Sequence, residues 1–292
     1  MVGNQTTRIT TQEKQTQQIV YHYTSQTGLL AIIKTKKIWA TDIYYLNDSA
    51  EMKHAWEIAK KVLQTPGISK CPDEDRIIKG IISHSDPPLS HRLYVACFSN
   101  AKNKLSQWRA YGSESGSFSI GFDSGELKEY AAEHHTDFEH CVYQKDQQES
   151  RVHFVIEHAL ADYRSRLEKA DKVSADSMPP VDIAINFFLQ DFTKYMPILK
   201  DESYIDEKEY RLIRHYGELK HVLFRKGRST VIPYIELDLP QEKNILSVRE
   251  IFVGPTPNPE LAVHAIKQLM EKEWIDPTVV RYCDIPYRSA GI

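Results

Sequence analysis

Segments typical of β-strands lie at both ends of this chain, with segments typical of helices between them. Runs rich in β-branched and aromatic residues cover segments 19–25, 92–100, 117–123, 209–215, 221–239, 250–255 and 279–288. One sheet can contain all of them only if strands pair across the helical stretch. The chain is therefore predicted to be α+β, with a mixed, mainly antiparallel sheet that a helical middle section splits.

The helical middle section, about residues 125–200, is defined by apolar residues at three- and four-residue spacing. They are Val152, Val155, Ala159, Tyr163 and Leu167 in one segment, and Ile185, Phe188, Leu189, Phe192 and Met196 in the next. We predict one domain over residues 18–292 that contains this section as a helical subdomain. Residues 1–17, rich in Gln and Thr, are predicted to form a disordered tail.

Composition limits the classes of function. A formal net charge of −3 gives no global basic field for unspecific binding of nucleic acid. No run approaches the ~20 apolar residues of a membrane span, and no apolar stretch follows the first Met as in a signal peptide. The four cysteines form no CxxC pair, which favours free thiols over disulfides or zinc. A cytoplasmic protein without membrane contact is expected.

The common site motifs GxxxxGK[ST], HExxH and GxSxG do not occur in the sequence. The histidine pairs 134/135 and 153/158 lack helical i,i+4 spacing with a third ligand nearby, so no metal site is predicted. Cys97 has no identifiable base and is better explained as a core cysteine.

Two polar clusters accompany predicted strands near the start of the chain. In YHYTS, His22 lies between two tyrosines, with Thr24 beyond. A hydrogen-bonded core histidine is the simpler explanation, and contact with a ligand is the alternative. In YLNDSAE, a helix cap accounts for residue 48 or 49, but Asn47 and Glu51 exceed what a cap requires.

The segment SQWRAYG places two aromatic rings three residues apart on one helical turn. These are Trp108 and Tyr111, with Arg109 beside them. Such rings either fill the core or form an aromatic wall beside a cation, which suits a heteroaromatic ligand.

The segment EKEYR presents two carboxylates and a cation. With a period of two, Glu207, Glu209 and Arg211 share one face of a strand. One explanation is an exposed, self-neutralising face, worth ~0.2–1 kcal/mol per pair. The other is a site in which negative charge stabilises the oxocarbenium-like transition state of N-glycosidic bond cleavage.

The ordered set of segments resembles a bacterial protein family. HYTS, YLND..E, CFS, LSQWRAYG, SIGF, EKEYRLI and a terminal IPYR resemble, from about residue 20 to 288, the domain-of-unknown-function family numbered 2971. Each motif alone is weak, but their order is specific. The family name implies no activity.

A looser resemblance links the chain to ADP-ribosyltransferase-like folds. A histidine on an early strand, an aromatic-rich middle and a glutamate on a late strand are similar to the His-Tyr-Glu layout of that fold. The resemblance implies that His22 holds the ribose of NAD, that Glu209 is the catalytic carboxylate and that Glu207 assists it. The candidates for the middle position are Trp108, Tyr111, Ser117 and Phe118.

The same resemblance implies a nucleotide-binding cleft. Arg109 would neutralise the pyrophosphate of NAD. Arg225, Lys226 and Arg228, around Gly227, either contribute in the same way or form a solvated hairpin tip. The binding residues that the resemblance implies are His22, Tyr23, Thr24, Asn47, Trp108, Arg109, Tyr111 and Arg211.

The predicted function is therefore an enzyme that uses NAD as substrate, either an ADP-ribosyltransferase or an NAD glycohydrolase. A bacterial toxin or phage-defence effector is the implied setting. The alternative is a non-catalytic nucleotide-sensing or binding module that acts through a protein partner. Net charge and the lack of a metal-carboxylate cluster disfavour a nuclease. The sequence leaves open whether the acceptor is a protein or a nucleic acid, and whether the chain binds a partner protein or forms a homo-oligomer.

Overall fold

A computed structural model describes seven ranges of the chain. They are residues 18–46, 51–84, 92–111, 116–168, 178–216, 218–227 and 229–284, and the side chains of Tyr111, Tyr216 and Pro277 lie outside this description. The helices within these ranges are α1 (Gln26–Thr35), α2 (Glu51–Leu63), α3 (Pro72–Ser83), α4 (Leu105–Tyr111), α5 (Ser124–Glu133), α6 (Lys145–Glu168), α7 (Pro180–Tyr195) and α8 (Pro259–Lys272). Short 3-10 turns cover Ile43–Tyr45, Met196–Ile198, Glu202–Glu207, Leu219–His221 and Pro277–Val279.

The strands are β1 (Ile19–Ser25), β2 (Lys37–Asp42), β3 (Arg92–Ser99), β4 (Ser117–Asp123), β5 (Asp137–His140), β6 (Glu209–Tyr216), β7 (Leu223–Lys226), β8 (Val231–Asp238), β9 (Gln241–Glu242), β10 (Ile245–Leu246), β11 (Glu250–Val253) and β12 (Val280–Tyr282). One sheet runs in the order β12-β11-β4-β1-β3-β2-β8-β7, with β6 also paired to β3 and β5 paired to β6. Within the described ranges, β11 and β12 pair in parallel and the other pairs of this sheet are antiparallel. The predicted α+β class with a mainly antiparallel sheet is confirmed.

Strands from either side of the helical middle section pair with each other. β3 pairs with β6, and β4 pairs with β11. The middle section contains α5, α6 and α7, and also β5, which joins the same sheet beside β6. None of the helices in the described ranges has both the length and the apolar character needed to cross a bilayer. The predicted tail, residues 1–17, lies outside the described residues.

The strand β3 shares one of its edges between two strands. Tyr21 of β1 pairs with Ser99 at one end, whereas β2 pairs with residues 94–95. Between these contacts, the carbonyl of Cys97 accepts a hydrogen bond from His22 Nδ1 at 2.9 Å. The strands β1 and β2 therefore pair with different parts of the same edge of β3. His22 supplies a side-chain hydrogen bond to β3 between these two parts.

Helices cover both sides of the sheet. On the first, named here the α1 side, α1, α5 and α8 pack over residues that include Phe98 and Leu212. On the second, the α2 side, α2, α3, α6 and α7 pack over residues that include Val95 and Ile213. Neighbouring side chains along a strand point to opposite sides of the sheet. The pairing register of the strands therefore shows whether each site residue lies on the α1 side or on the α2 side.

Candidate functional site

The carboxylates of EKEYR lie where a turn meets a strand. β6 begins at Glu209, and Glu207 is the last residue of the preceding 3-10 turn. Lys208, between them, has a left-handed backbone with φ 44°, which is uncommon for a residue with a side chain. The prediction that Glu207 belongs to the strand is therefore wrong, because this turn breaks the period of two. The side chain of Glu207 nevertheless reaches the same partner as that of Glu209.

Arg211 is the centre of a buried ion network on the α2 side. Its Nη1 and Nη2 donate to Glu51 Oε2 and Oε1 at 2.7 and 2.6 Å, and its Nε donates to Glu209 Oε1 at 2.9 Å. Nη1 also donates to the carbonyl of Pro197 at 2.5 Å. Arg211 is 2% exposed, so its charge depends on these acceptors for nearly all of its compensation.

Lys200 completes the network from the other side of Glu209. Its Nζ lies 2.5 Å from Glu207 Oε2, 2.5 Å from Glu209 Oε2 and 3.4 Å from Glu51 Oε1. It also lies 5.0 Å from the ring centroid of Tyr204. Three carboxylates and two cations thus form one network, with a formal charge of −1.

The network sets the protonation of Glu209. Burial raises the pKa of this carboxyl, but Arg211 and Lys200 outweigh burial and hold the pKa at about 2. The same carboxylates raise the pKa of Lys200, although burial opposes them. Burial, together with Glu209, raises the pKa of the Cys97 thiol well above its ordinary value. Glu209 is therefore ionised at neutral pH, whereas Cys97 stays protonated and is not activated as a nucleophile.

Hydrogen bonds to the backbone fix the turn that carries both carboxylates. Tyr143 Oη accepts from the N–H of Glu209 at 2.9 Å, and Ser99 Oγ donates to the carbonyl of Glu207 at 2.5 Å. Lys104 Nζ donates to the carbonyl of Asp206 at 2.7 Å, which ties the loop before α4 to the same turn. The turn is thus held by β3, by the segment after β5 and by the loop before α4.

Solvent reaches this network through one carboxylate. The side chain of Glu207 is 26% exposed, whereas those of Glu209 and Lys200 are each 6% exposed. A ligand in solution would therefore meet Glu207 first. Chemically, the network can place fixed negative charge next to a ligand, and it also clamps α2 and the segment around Pro197 to β6.

His22 lies on the opposite side of the sheet from Glu209. Tyr21 pairs with Ser99, and Ser99 pairs with Glu209, so these three side chains share the α2 side. His22 points to the α1 side, where its ring centroid is 5.7 Å from that of Phe98. Burial lowers its pKa. The resemblance to ADP-ribosyltransferase-like folds implies that His22 and Glu209 face one cleft, and this expectation is wrong. Tyr21 is in register with Glu209, and its neighbour His22 therefore points to the other side of the sheet.

The aromatic residues Tyr23 and Trp108 form a separate small core on the α2 side. Their ring centroids are 4.8 Å apart in an edge-on arrangement, and Trp108 is 2% exposed. Tyr23 Oη donates to the carbonyl of Ala101 at 2.7 Å, and Trp108 Nε1 donates to Asn103 Oδ1 at 2.9 Å. Both rings are thus packed and hydrogen-bonded within the protein, as expected if they fill the core.

Of the predicted binding residues, Arg211 joins the ion network. Thr24 is half-buried in β1, pairs with Phe118 and shares the α1 side with His22. Arg109 is exposed on α4. Asn47 and the side chain of Tyr111 lie outside the described residues.

Two members of the network were not among the predicted site residues. Lys200 directly follows the buried segment MPIL and has no motif around it. Glu51 carried a partial signal, because helix capping left it unexplained. Its pairing with Arg211, across 160 positions, comes from the packing of α2 on the sheet and leaves no local trace in the sequence.

The comparisons with known proteins identify one family. Residues 107–212 match the model of the family described as protein of unknown function (DUF2971). This confirms the family predicted from the ordered motifs, and the match spans the segments from QWRAYG to EKEYRL. No curated protein matches the chain. No solved structure matches it either.

Proposed function

We propose that this chain is an enzyme of the ADP-ribosyltransferase type that uses NAD as substrate, for transfer of ADP-ribose or for hydrolysis. The observation that supports the proposal is the convergence of Glu207 and Glu209 on Lys200, with Glu209 held ionised. Fixed negative charge is what cleavage of an N-glycosidic bond requires, because its transition state resembles an oxocarbenium ion.

The difference in exposure suggests distinct roles for the two carboxylates. Glu207 is the member open to solvent, so we assign to it the contact with the ribose of NAD. Glu209 is buried and paired, so we assign to it the positioning of Lys200 and Arg211. This reverses the order implied by the resemblance to ADP-ribosyltransferase-like folds, in which Glu209 acts and Glu207 assists.

In the proposed step, the bond between the anomeric carbon of the ribose and the nicotinamide nitrogen breaks. Nicotinamide leaves with the electron pair of that bond, which neutralises its ring. Positive charge develops on the ribose, where the carboxylate of Glu207 stabilises it. Water or an acceptor group then bonds to the anomeric carbon and releases its proton to solvent. The position of His22 gives no support to its assignment as the ribose ligand.

A second candidate function is nucleotide sensing without turnover. The burial and complete pairing of Glu209 favour it, because such a carboxylate is held by the protein and is not free to contact a ligand. In this case Glu207 would contact the nucleotide, and the signal would pass to a partner protein.

Incubation of the purified protein with NAD separates the two functions. Free nicotinamide is measured by chromatography, and binding of NAD is measured in parallel by calorimetry. Release of nicotinamide supports the enzyme, whereas binding without release supports the sensing module. If NAD is neither bound nor cleaved, both proposals fail.

A further inference from the structure

Arg225 of β7 is a partly buried cation without an acidic partner among the described residues. Its Nη2 donates to Thr41 Oγ1 at 3.0 Å, and its guanidinium lies 5.7 Å from the ring centroid of Trp39. Its Nε is buried and, within the described ranges, has no hydrogen-bond partner. Burial lowers the pKa of Arg225, and the one charge interaction that opposes burial comes from Tyr234. A desolvated cation in such surroundings is stabilised by an anion from outside.

The ring next to Arg225 is open to solvent. Trp39 is 42% exposed, and its centroid is 4.5 Å from that of Tyr234, at an interplanar angle of 41°. Thr41 pairs with Tyr234 on one edge and with Val95 on the other, so these side chains lie on the α2 side of the sheet. We name Trp39, Thr41, Arg225 and Tyr234 the Trp39 surface.

We propose that the Trp39 surface binds single-stranded nucleic acid, with a base stacked on Trp39 and a phosphate at Arg225. A nucleotide unit combines a planar base with an anionic phosphate, which matches an exposed aromatic ring beside a cation. Any of the bases can stack on such a ring. The guanidinium supplies donors for phosphate oxygens.

Two features favour a strand over a free nucleotide. The Trp39 surface is an open part of the sheet and not an enclosed cavity, so a single nucleotide would bury little of its area there. A further ring, that of Tyr45, is 41% exposed in the turn that follows β2.

This inference does not depend on cleavage of NAD. It is compatible with the net charge of −3, because the contact involves few phosphates and is local. Affinity should accordingly fall only about three- to sevenfold between 50 and 200 mM salt, as one or two phosphate contacts predict.

The test measures fluorescence anisotropy of a labelled twelve-nucleotide oligothymidylate with the full-length protein at 50 mM salt. Trp39→Leu and Arg225→Gln are each expected to weaken binding about tenfold or more. Phe154→Ala, which removes an exposed ring on α6, and Arg76→Gln, which removes an exposed cation on α3, should leave affinity unchanged. Thermal melts show whether each variant is folded.

A measurement on the wild type keeps the test independent of variant stability. An oligonucleotide with 5-iodouracil is photo-crosslinked, and the linked peptide is identified by mass spectrometry. Linkage within residues 37–45 or 223–226, or at Tyr234, supports the proposal. Linkage elsewhere, no binding at 50 mM salt, or saturable binding of thymidine monophosphate without binding of the strand would overturn it. Equal affinity for a duplex of the same length would also contradict it, because stacking requires unpaired bases.

Discussion

Lys200 Nζ and Glu209 Oε2 lie 2.5 Å apart on the α2 side, where both residues are about 5% exposed. Lys200 follows the turn at Met196–Ile198, and Glu209 opens β6, so their contact joins the end of the helical middle section to the sheet. The same lysine also forms an ion pair with Glu207, whose side chain is partly exposed to solvent. Lys200 thus links the two carboxylates of the candidate site.

Replacement of Lys200 by Met should lower the free energy of unfolding by about 3–5 kcal/mol. The variant keeps the length of the side chain but leaves buried carboxylates without one of their two cations. Urea denaturation measures the change. Lys194→Met is the matched control, because Lys194 is 61% exposed in its pair with Asp191 and should cost no more than about 1 kcal/mol. Equal small effects of the two variants would show that the Lys200 network contributes little to stability.

The low pKa of Glu209 predicts a loss of stability in acid. The folded-state pKa of about 2 lies below the ordinary value of 4.5, so the contribution is present above pH 4.5 and is lost as pH falls towards 2. For one group shifted this far, the contribution is at most about 3 kcal/mol.

The comparison of wild type with Glu209→Gln isolates this contribution. The wild type should lose stability more steeply than the variant between pH 5 and pH 3, as measured by chemical denaturation at each pH. Parallel profiles would contradict the low pKa. The sequence alone, with Glu209 in a partly open strand, predicts a cost below about 1 kcal/mol for this substitution at neutral pH. Its observed burial and pairing predict a larger cost, about 3 kcal/mol.

Local sequence patterns predicted the helices and strands well. They predicted less well to which side of the sheet each side chain points. The apolar periodicity of α6 and α7, and the strand composition of β1, β3 and β6, identified these elements correctly. The positive φ of Lys208, which removes Glu207 from the strand, has no signal in the sequence. The pairing of β1 with β3 decides that Tyr21, and not His22, shares a side with Glu209. Register of this kind follows from long-range packing and cannot be obtained from one strand alone.

Trp108→Ala should lower the free energy of unfolding by about 3–5 kcal/mol, because it removes a large buried ring that packs on Tyr23. Trp274→Asn serves as the control. Trp274 is 83% exposed with φ 63°, a conformation that Asn tolerates, so the change should cost less than about 0.5 kcal/mol. Urea denaturation measures both. A small loss of stability for Trp108→Ala, together with loss of NAD binding, would favour a role as a ligand wall instead.

Deletion of residues 1–17 should leave folding intact, because a segment of this composition buries too little apolar surface to offset its ordering entropy. The deletion retains Gln18, whose Nε2 donates to Tyr210 Oη at 3.1 Å. Differential scanning calorimetry should give a melting temperature within about 2 °C of the full-length value, since surface changes rarely exceed about 0.5 kcal/mol. A fall of several degrees would show that the tail is docked on the domain.

The rate of nicotinamide release by Glu207→Gln at saturating NAD tests most directly whether Glu207 supplies the charge that stabilises the transition state of NAD cleavage. The wild type should release nicotinamide, and the variant should be slower by about a hundredfold or more, as for loss of one preorganised electrostatic group. Affinity for NAD should change only a few-fold, because the lost charge acts mainly in the transition state. Glu202→Gln, an exposed carboxylate of the same turn, should keep the full rate. A wild type that releases no nicotinamide, or a Glu207→Gln variant that keeps the full rate, would contradict the account.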